Sequence, residues 1–457
     1  MKCKLMQSIQ SENHYKGDLR GLVHLFFPIL MMTFSTYLFF LVEKVLLARF
    51  SISAMEAALT ANYTAQLMLA PCVALAMMAQ VYVARWRGAN ELTAIGPGIW
   101  QFIWFSFLSM VFTVPLGLFV GQQYFAGTDI EKIVMPYYDF FVYTNFLYPL
   151  GTALSCFYLA QGKTRLVVFS TIASQGVKLS LSYLLIFGWE DIIPSWGILG
   201  GALSTLIAQG TFCLGLFLVF INKENAKIFN TRNWRFRGKL FIDCIYPGSL
   251  RACNRILNAA NWTAIAYLMT SKGGDYLLFF SIGGTVSGFL PFLSDAVCQA
   301  QTTIVSQILG SGKYHFLKQA FKSGMALSVI AIVLFGIPLL IFPSFTFEYL
   351  FPSIVLGEES IHKVFWGVWL CFACFSVGFI PISYILAFKD TKFSLFMGFL
   401  NWVNGFLFMY FFIEWVKISP SQFWIILCVM HGSTSLLYYL RMLWLEKKLL
   451  APTLQAV

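Results

Sequence analysis

Charged side chains inside long apolar stretches are the residues of this chain best placed to do chemistry. Four acidic and four basic residues lie in such stretches: Glu43, Lys44, Asp139, Lys178, Asp243, Arg251, Arg255 and Asp295. A lone ionised group near the centre of a lipid bilayer costs about 2.5 to 3.5 kcal/mol even on the lenient insertion scale. If these stretches cross a membrane, we expect their charged groups to pair with one another or to line water.

One polar stripe surrounds a lysine. Its members are spaced by three or four residues and so share one face of a helix: Thr171, Ser174, Gln175, Lys178 and Ser182. Side chains of this kind are expected to face protein or water rather than lipid. The stripe therefore predicts a polar lining around Lys178.

A second polar stripe is more basic, and its members share a helix face in the same way: Arg251, Asn254, Arg255, Asn258 and Asn261. Arg255 and Asp295 fall at similar depths when their spans run in opposite directions at about 1.5 Å per residue, so they could pair. The alternative is that Arg251 and Arg255 bind an anionic group, which suits a planar guanidinium.

The composition shows which elements must position these residues. The chain has 457 residues, of which 58% are apolar and 11% charged, against about 25% charged in soluble domains. Apolar runs of 18 or more residues are typical of membrane helices. We predict an all-α integral membrane protein with twelve spans, near 22–47, 57–84, 99–123, 136–159, 166–188, 197–221, 241–270, 277–307, 319–345, 364–388, 394–413 and 421–442.

The distribution of Lys and Arg predicts the orientation in the membrane. Cytoplasmic loops collect basic residues, and most of the 31 Lys and Arg lie on the side of the N-terminus if twelve spans alternate. We therefore expect both termini in the cytoplasm. The net charge of +11 is then a topology signal, and no nucleic-acid partner is expected.

The two halves of the chain repeat one another. Phe27-Pro28-Ile29 matches Tyr246-Pro247-Gly248, and the segment from Leu159 to Arg165 matches that from Leu386 to Lys392. We predict two pseudo-symmetric six-helix bundles, 1–222 and 241–457, joined by a cytoplasmic linker, 223–240. Parallel repeats of this kind commonly place a substrate site between the halves.

The layout and three segments together resemble the MATE (multidrug and toxic compound extrusion) family. The segment from Val305 to Lys313 reads V-S-Q-I-L-G-S-G-K, like the family's V-G-Q-x-L-G-A-G-K. The segment from Ala160 to Arg165 is similar to its L-R-G-x-G-D-T-R, and that from Gly197 to Ala202 to its G-V-x-G-A-A. The resemblance implies two bundles around a central cavity, and export of organic molecules by alternating access against H⁺ or Na⁺.

The resemblance also implies roles for residues of the first half. Glu43 lies fifteen residues after Pro28, where the family carries its coupling aspartate. We predict a coupling site of Glu43, Asp139, Lys178 and Ser182. Lys178 departs from the asparagine that relatives carry nearby, and its fixed charge would compete with sodium, so H⁺ is favoured. The alternatives are that Glu43 or Asp139 merely faces the outer membrane interface.

For the second half, the resemblance gives a different expectation. Some relatives have a glutamate where this chain has Arg255, and no acid lies around Phe375, so a cation site there is not expected. We predict a substrate cavity lined by polar and charged residues of both halves: Gln175, Arg251, Asn254, Arg255, Asn258 and Asp295. The default function is drug export; the alternative is exchange of anionic or zwitterionic metabolites through Arg251 and Arg255.

Other functional classes lack their signals. We see no nucleophile–base arrangement and no metal-ligand spacing among the five His, so no enzyme, metal or cofactor is expected beyond the coupling ion. The ten cysteines, including the C-x-x-C of Cys371 and Cys374, are interpreted as reduced wall residues. A non-transporting scaffold or receptor is the remaining class, and it would need no central cavity. We expect a monomer in the lipid bilayer of the bacterial inner membrane.

Overall fold

A computed structural model describes residues 17–128, 131–189, 192–288, 290–352 and 354–454. These ranges are almost wholly helical; a single β-bridge joins Trp189 and Ile193 there. Helices are the expected form for such apolar segments, because in lipid each backbone N–H and C=O must be satisfied within the segment itself.

The first nine helices carry the predicted coupling residues. They are α1 (Leu19–Phe50), α2 (Ile52–Ala76), α3 (Met78–Gly88), α4 (Leu92–Phe125), α5 (Glu131–Thr144), α6 (Leu147–Leu159), α7 (Thr164–Phe187), α8 (Ile198–Phe220) and the short α9 (Lys223–Phe229). The predicted fourth span is interrupted between α5 and α6, at Asn145 and Phe146.

The remaining helices begin with the second polar stripe. They are α10 (Gly238–Lys272), α11 (Gly274–Ser287), α12 (Leu290–Ser311), α13 (Leu317–Ala331), α14 (Ile337–Ile341), α15 (Pro343–Leu350), α16 (Glu358–Ala387), α17 (Thr391–Glu414) and α18 (Phe423–Leu454). A π-helical turn, Ile332–Gly336, joins α13 to α14.

The chain forms two compact units. One comprises Pro28–Ala252, and the other the described part of Met1–Phe27 together with Cys253–Val457. The division thus falls within α1 and α10. The predicted bundle limits at 222 and 241 stay a prediction.

The corners that follow the predicted fourth and tenth spans have the same backbone. Gly162 and Lys389 both have positive φ, +75° and +60°. The amides of the next residues, Lys163 and Asp390, each donate over 3.0 Å to a carbonyl five residues earlier, that of Tyr158 and that of Ile385. The internal repeat read from the sequence is therefore present in the local structure.

Helix length and hydropathy separate the predicted spans into two groups. Within the described residues, eight helical segments are long and apolar enough to cross a membrane, and the bent pair α11 and α12 raises the number to nine. The predicted fourth, fifth and seventh spans do not meet the test. The fourth is broken into two short helices, while the fifth and seventh carry the two polar stripes. Glu43 and Asp295, in contrast, lie on spans that meet the test.

Large buried aromatic side chains fix the packing around α5 in the first unit. Tyr137, Tyr138 and Phe125 are each at most 1% exposed and lie in one cluster with alanines of α2. Gly117 allows α4 to approach α5, and the Tyr138 hydroxyl donates to the carbonyl of Gly117 over 3.0 Å. This packing sets the position of α5 beside the candidate coupling site.

Close helix contacts also organise the second unit, where α16 packs extensively along α18. A Cβ atom at Gly367 would lie 2.8 Å from the Cβ of Trp424 and 2.9 Å from the amide nitrogen of Ile425. About three turns further along α16, a Cβ at Gly378 would overlap the Ser435 hydroxyl. Glycine at both positions lets the two helices run side by side at short range.

Candidate functional site

An ion pair between α1 and α7 lies at the centre of the candidate site. The Lys178 ammonium is 2.5 Å from Oε2 of Glu43, and the two side chains are 13% and 7% exposed. Lys178 lies on the polar stripe of α7, whereas Glu43 has apolar neighbours on its own face of α1. The structure thus brings together the two charged residues of opposite sign predicted for coupling.

Helix α8 supplies the neighbouring hydroxyl. Thr205 Oγ1 is 3.3 Å from Oε1 of Glu43 and 3.0 Å from the backbone carbonyl of Gly201, so its single proton has two acceptors within reach. A Cβ atom at Gly201 would lie 3.7 Å from Oε1 of Glu43. Residues larger than alanine at that position would therefore crowd the carboxylate.

A buried tyrosine, a half-buried tyrosine and a small cavity lie near the pair. The Glu43 carboxylate interacts electrostatically with the phenols of Tyr137 and Tyr148, and Asn62 donates to the Tyr137 hydroxyl over 3.2 Å. Tyr148 and Thr205 also line a cavity of about 10 Å³, which is room for about one water molecule. The arrangement can hold a carboxylate that is either charged and paired or protonated, with one hydroxyl beside it. The cavity reaches Thr205 but is not lined by Glu43.

Ser182 and Gln175 occupy the same stripe as Lys178 but have different surroundings. The Ser182 hydroxyl is buried and lies 2.6 Å from that of Ser204, so it links α7 to α8 and does not contact Glu43. Gln175 is half-buried and hydrogen-bonds to none of the described residues. Its amide, one turn before Lys178, is the polar group of the stripe still open to a ligand.

Asp139 lies on α5 and is half-buried. Its Oδ1 atom is enclosed and makes no hydrogen bond to the described part of the chain. Within the described residues, Asp139 forms no hydrogen bond or ion pair with Glu43 or Lys178. The structure therefore places it beside the aromatic cluster of α5 rather than in the ion pair, and its coupling role stays a prediction.

Arg251 lies in the first unit, against two methionines that follow α2. Its Nη1 and Nη2 atoms are each 3.8 Å from a thioether sulfur, those of Met78 and Met77. The side chain is half-buried. The guanidinium thus lies in a soft, polarisable environment as well as near the thiol of Cys156, with which it interacts electrostatically.

The asparagines of the second stripe contact α17. The Asn254 amide donates to the Ser394 hydroxyl over 3.0 Å, and Asn261 is 4% exposed. Each amide oxygen meets a glycine of α17, Gly398 and Gly405, at a position that a Cβ atom would occupy. The two asparagines are seven residues apart in sequence, and so are the two glycines. The same helix–helix contact therefore repeats along α10 and α17. The structure thus uses Asn254 in packing, and a role in a substrate cavity stays a prediction.

Arg255 and Asn258 are exposed on α10, whereas Asp295 is half-buried on α12. Among the described residues Arg255 forms no ion pair, so the structure does not join it to Asp295. The guanidinium is therefore open to an anionic partner from outside the protein.

Sequence reasoning missed Thr205, which is the hydroxyl beside Glu43. A threonine in a transmembrane helix usually bonds its own preceding turn, as Thr205 also does with Gly201. The available signal was the neighbouring Gly200-Gly201 pair, which indicates close approach by another helix. Within the described ranges no group of three or more His, Cys, Asp and Glu could hold a metal ion.

Comparison with known proteins identifies relatives of this chain. The sequence pattern of the MatE family matches residues 28–184. A probable multidrug resistance protein NorM of Neisseria meningitidis serogroup A is 25% identical over 286 residues, 58% of this chain and 59% of that protein. A probable multidrug resistance protein NorM of Pasteurella multocida is 23% identical over 70% of each chain.

Solved structures confirm the predicted fold. A MATE protein in the bent conformation has a TM-score of 0.84, with 13% identity over 95% of this chain and 97% of that chain. This likeness confirms the predicted all-α membrane fold with twelve transmembrane spans. Together with the match of residues 28–184 to the MatE family and the two NorM relatives, it makes the chain similar to MATE transporters.

Proposed function

We propose that the protein is a secondary active antiporter that exports organic small molecules of the drug or toxic-compound type by alternating access, with H⁺ favoured over Na⁺ as the coupling ion. The ion pair of Glu43 with Lys178 carries the proposal. The NorM relatives are named as probable multidrug resistance proteins, which supports the substrate class.

Proton binding at Glu43 would change the energy of the buried pair. A proton on Oε2 removes the negative charge, and the Lys178 ammonium then keeps its charge without its partner. A buried unpaired charge is strongly unfavourable, so Lys178 must turn to another acceptor. Gln175, one turn earlier on α7, presents a free amide oxygen, and the polar part of a substrate could serve in the same way. Protonation and substrate binding are thereby coupled through one side chain.

The same geometry disfavours sodium. A Na⁺ ion at Glu43 would lie beside an ammonium already 2.5 Å from the carboxylate, and like charges at such range repel strongly in a medium of low dielectric. A proton instead bonds to the carboxylate oxygen and neutralises it, so it places no second cation beside the ammonium. We therefore expect a pH gradient, and not a sodium gradient, to drive transport.

Transport by proteoliposomes tests this proposal. Wild type and Glu43→Gln are reconstituted and loaded with a fluorescent organic cation, and efflux is followed under an imposed pH gradient. Glu56→Gln is the matched control, because Glu56 is exposed near the start of α2. We expect gradient-driven efflux in wild type and Glu56→Gln and its loss in Glu43→Gln. Normal driven efflux by Glu43→Gln would overturn the assignment of Glu43.

A second candidate function is exchange of anionic or zwitterionic metabolites. The exposed Arg255, which has no ion-pair partner among the described residues, favours it. Efflux of organic anions and of a cationic dye is compared in cells that carry wild type, Arg251→Ala or Arg255→Ala. Anion efflux that falls in the arginine variants supports this function. Dye efflux unaffected by both substitutions, with no anion transport, rejects it.

The cellular setting completes the proposal. The protein would lie in the bacterial inner membrane as a monomer with both termini in the cytoplasm, in agreement with the distribution of its basic residues. It would need no cofactor other than the coupling ion. Asp139 and Ser182 are proposed to support the coupling site from α5 and α7, and Asn254, Asn258 and Asp295 to contact substrate.

A further inference from the structure

Two thiols meet between α16 and α18, within the second unit. The Sγ atoms of Cys374 and Cys428 are 3.2 Å apart, although the residues are 54 positions apart in sequence. All nine cysteines of the described ranges are free thiols, and these two are half-buried. The two sulfurs are closer than an ordinary non-bonded contact, and one thiol can donate its hydrogen to the other.

The helix packing holds this contact in place. On the α16 side, the Cys374 carbonyl accepts from the Ser435 hydroxyl of α18 over 3.1 Å. The close approaches at Gly367 and Gly378 lie on either side of Cys374 along α16. The two helices therefore cannot separate at Cys374 without breaking contacts above and below it, and the thiols remain within reach of one another.

The nearest competing thiol has a different environment. Cys371 lies one turn before Cys374 on α16 and is 8% exposed. It completes the C-x-x-C motif in sequence, but the closest sulfur contact of Cys374 is across the helix pair, with Cys428. The two thiols in contact are therefore Cys374 and Cys428, and not the Cys371 and Cys374 of the C-x-x-C motif.

We infer that Cys374 and Cys428 form a reversible disulfide that joins α16 to α18 when the protein meets a thiol oxidant. A disulfide needs its sulfurs at roughly 2.05 Å, so the present pair must close by about 1.2 Å, a movement that side-chain rotation can supply. This inference does not depend on the proposed transport activity.

The reaction uses an external low-molecular-weight disulfide as oxidant. One cysteine thiolate attacks a sulfur of that disulfide, which forms a mixed disulfide and releases one small thiol. The second cysteine then attacks the mixed disulfide and releases the other small thiol. The two cysteines lose two electrons and two protons, and the external disulfide gains them as two thiols. A reductant of the same class reverses both steps.

The disulfide would close a loop that contains the whole of α17. A cross-link of this kind restricts the unfolded chain, so we expect the oxidised protein to unfold at a temperature several degrees higher. Addition of a reductant should restore the original unfolding temperature.

Thiol counting on the purified full-length protein tests the inference. The protein in detergent is treated with oxidised glutathione, denatured and alkylated, and its mass and peptides are analysed. Wild type should lose two alkylatable thiols and yield a cross-linked peptide that contains Cys374 and Cys428. Cys371→Ser, the matched control on the same helix, should give the same product. Cys374→Ala and Cys428→Ala should lose no thiol pair and show no rise in unfolding temperature on oxidation.

Other outcomes would overturn the inference. These are an unchanged thiol count in oxidised wild type, a cross-link between Cys371 and Cys374, and an equal thiol loss in Cys374→Ala. If Cys374→Ala does not fold, Cys428→Ala and the wild-type peptide map decide by themselves, because a cross-link seen in wild type identifies its own partners.

Discussion

The buried ion pair between Glu43 and Lys178 is better suited to switching than to stabilising the fold. Removal of two charges from water costs several kcal/mol per ion, and their attraction returns that cost only when the geometry is good. Here the Glu43 carboxylate contacts the Lys178 ammonium and the Thr205 hydroxyl, and that hydroxyl can also donate to the Gly201 carbonyl. The balance between paired and unpaired states is therefore sensitive to a single proton.

Removal of the lysine alone should be more harmful than removal of both charges. We expect Lys178→Met to lower the free energy of unfolding by about 3 to 5 kcal/mol, because it leaves the Glu43 carboxylate buried without a counter-charge. The double variant Glu43→Gln with Lys178→Met should recover much of that loss. Unfolding of the purified protein in detergent, measured for wild type, both single variants and the double variant, gives the coupling energy. Strictly additive losses would contradict a direct interaction.

Individual residues show where sequence reasoning succeeded and where it stopped. The sequence predicts Glu43 and Lys178 in one coupling site, because charged groups in apolar spans are expected to pair or to line water. Ser182 has the same spacing on the helix as Lys178, yet its hydroxyl bonds to Ser204. Spacing along one helix gives the face of a side chain, while its partner depends on the rotation and depth of the neighbouring helix. Those two quantities are not encoded in the local pattern.

At the scale of the helices, the asparagines of α10 and the glycines of α17 form a matched contact. A Cβ atom at Gly398 would displace the Asn254 amide, which bonds to Ser394 over 3.0 Å. We expect Gly398→Val to destabilise the protein by about 1 to 3 kcal/mol through overpacking. Thermal unfolding measures the effect.

Gly284→Val is the matched control for this substitution. Gly284 lies inside α11, and a Cβ atom there would meet nothing within 4 Å. The control should therefore change the unfolding temperature much less than Gly398→Val. Equal shifts in the two variants would show that the contact with Asn254 does not account for the requirement for glycine.

The helices also explain why some spans were harder to bound from sequence. The predicted fourth span is two helices interrupted at Asn145 and Phe146. Pro149, in the first turn of α6, cannot donate to the carbonyl of Asn145 and so marks that break. The seventh span was predicted near 241–270, and α10 extends from Gly238 to Lys272. Hydropathy gives the existence of a membrane helix, whereas its ends depend on caps and on packing with other elements.

For the whole molecule, the internal repeat was readable from the sequence and is visible in the backbone. The corners at Gly162 and Lys389 share a positive φ and the same hydrogen bonds. A lysine with positive φ is uncommon, so the residue type of Lys389 does not by itself predict that turn. The match with Gly162 in the aligned segment was the available clue.

The orientation of the whole chain is open to a direct test. We expect alkaline phosphatase to be inactive when inserted after Asn230, between α9 and α10, and active when inserted after Lys417, between α17 and α18. This enzyme works only outside the cytoplasm, and basic residues concentrate in cytoplasmic loops. Activity of the first insertion together with inactivity of the second would reverse the predicted topology.

The most direct test of the account is the ion that drives transport by the wild-type protein. Proteoliposomes are given either a pH gradient at equal sodium or a sodium gradient at equal pH, and efflux of an organic cation is recorded. We predict efflux with the pH gradient alone, because Lys178 occupies the charge position that a sodium ion would need. Lys178→Asn should gain a response to sodium, since a neutral amide no longer repels the ion. Efflux by the wild type that follows the sodium gradient at constant pH would contradict the role assigned to the Glu43–Lys178 pair.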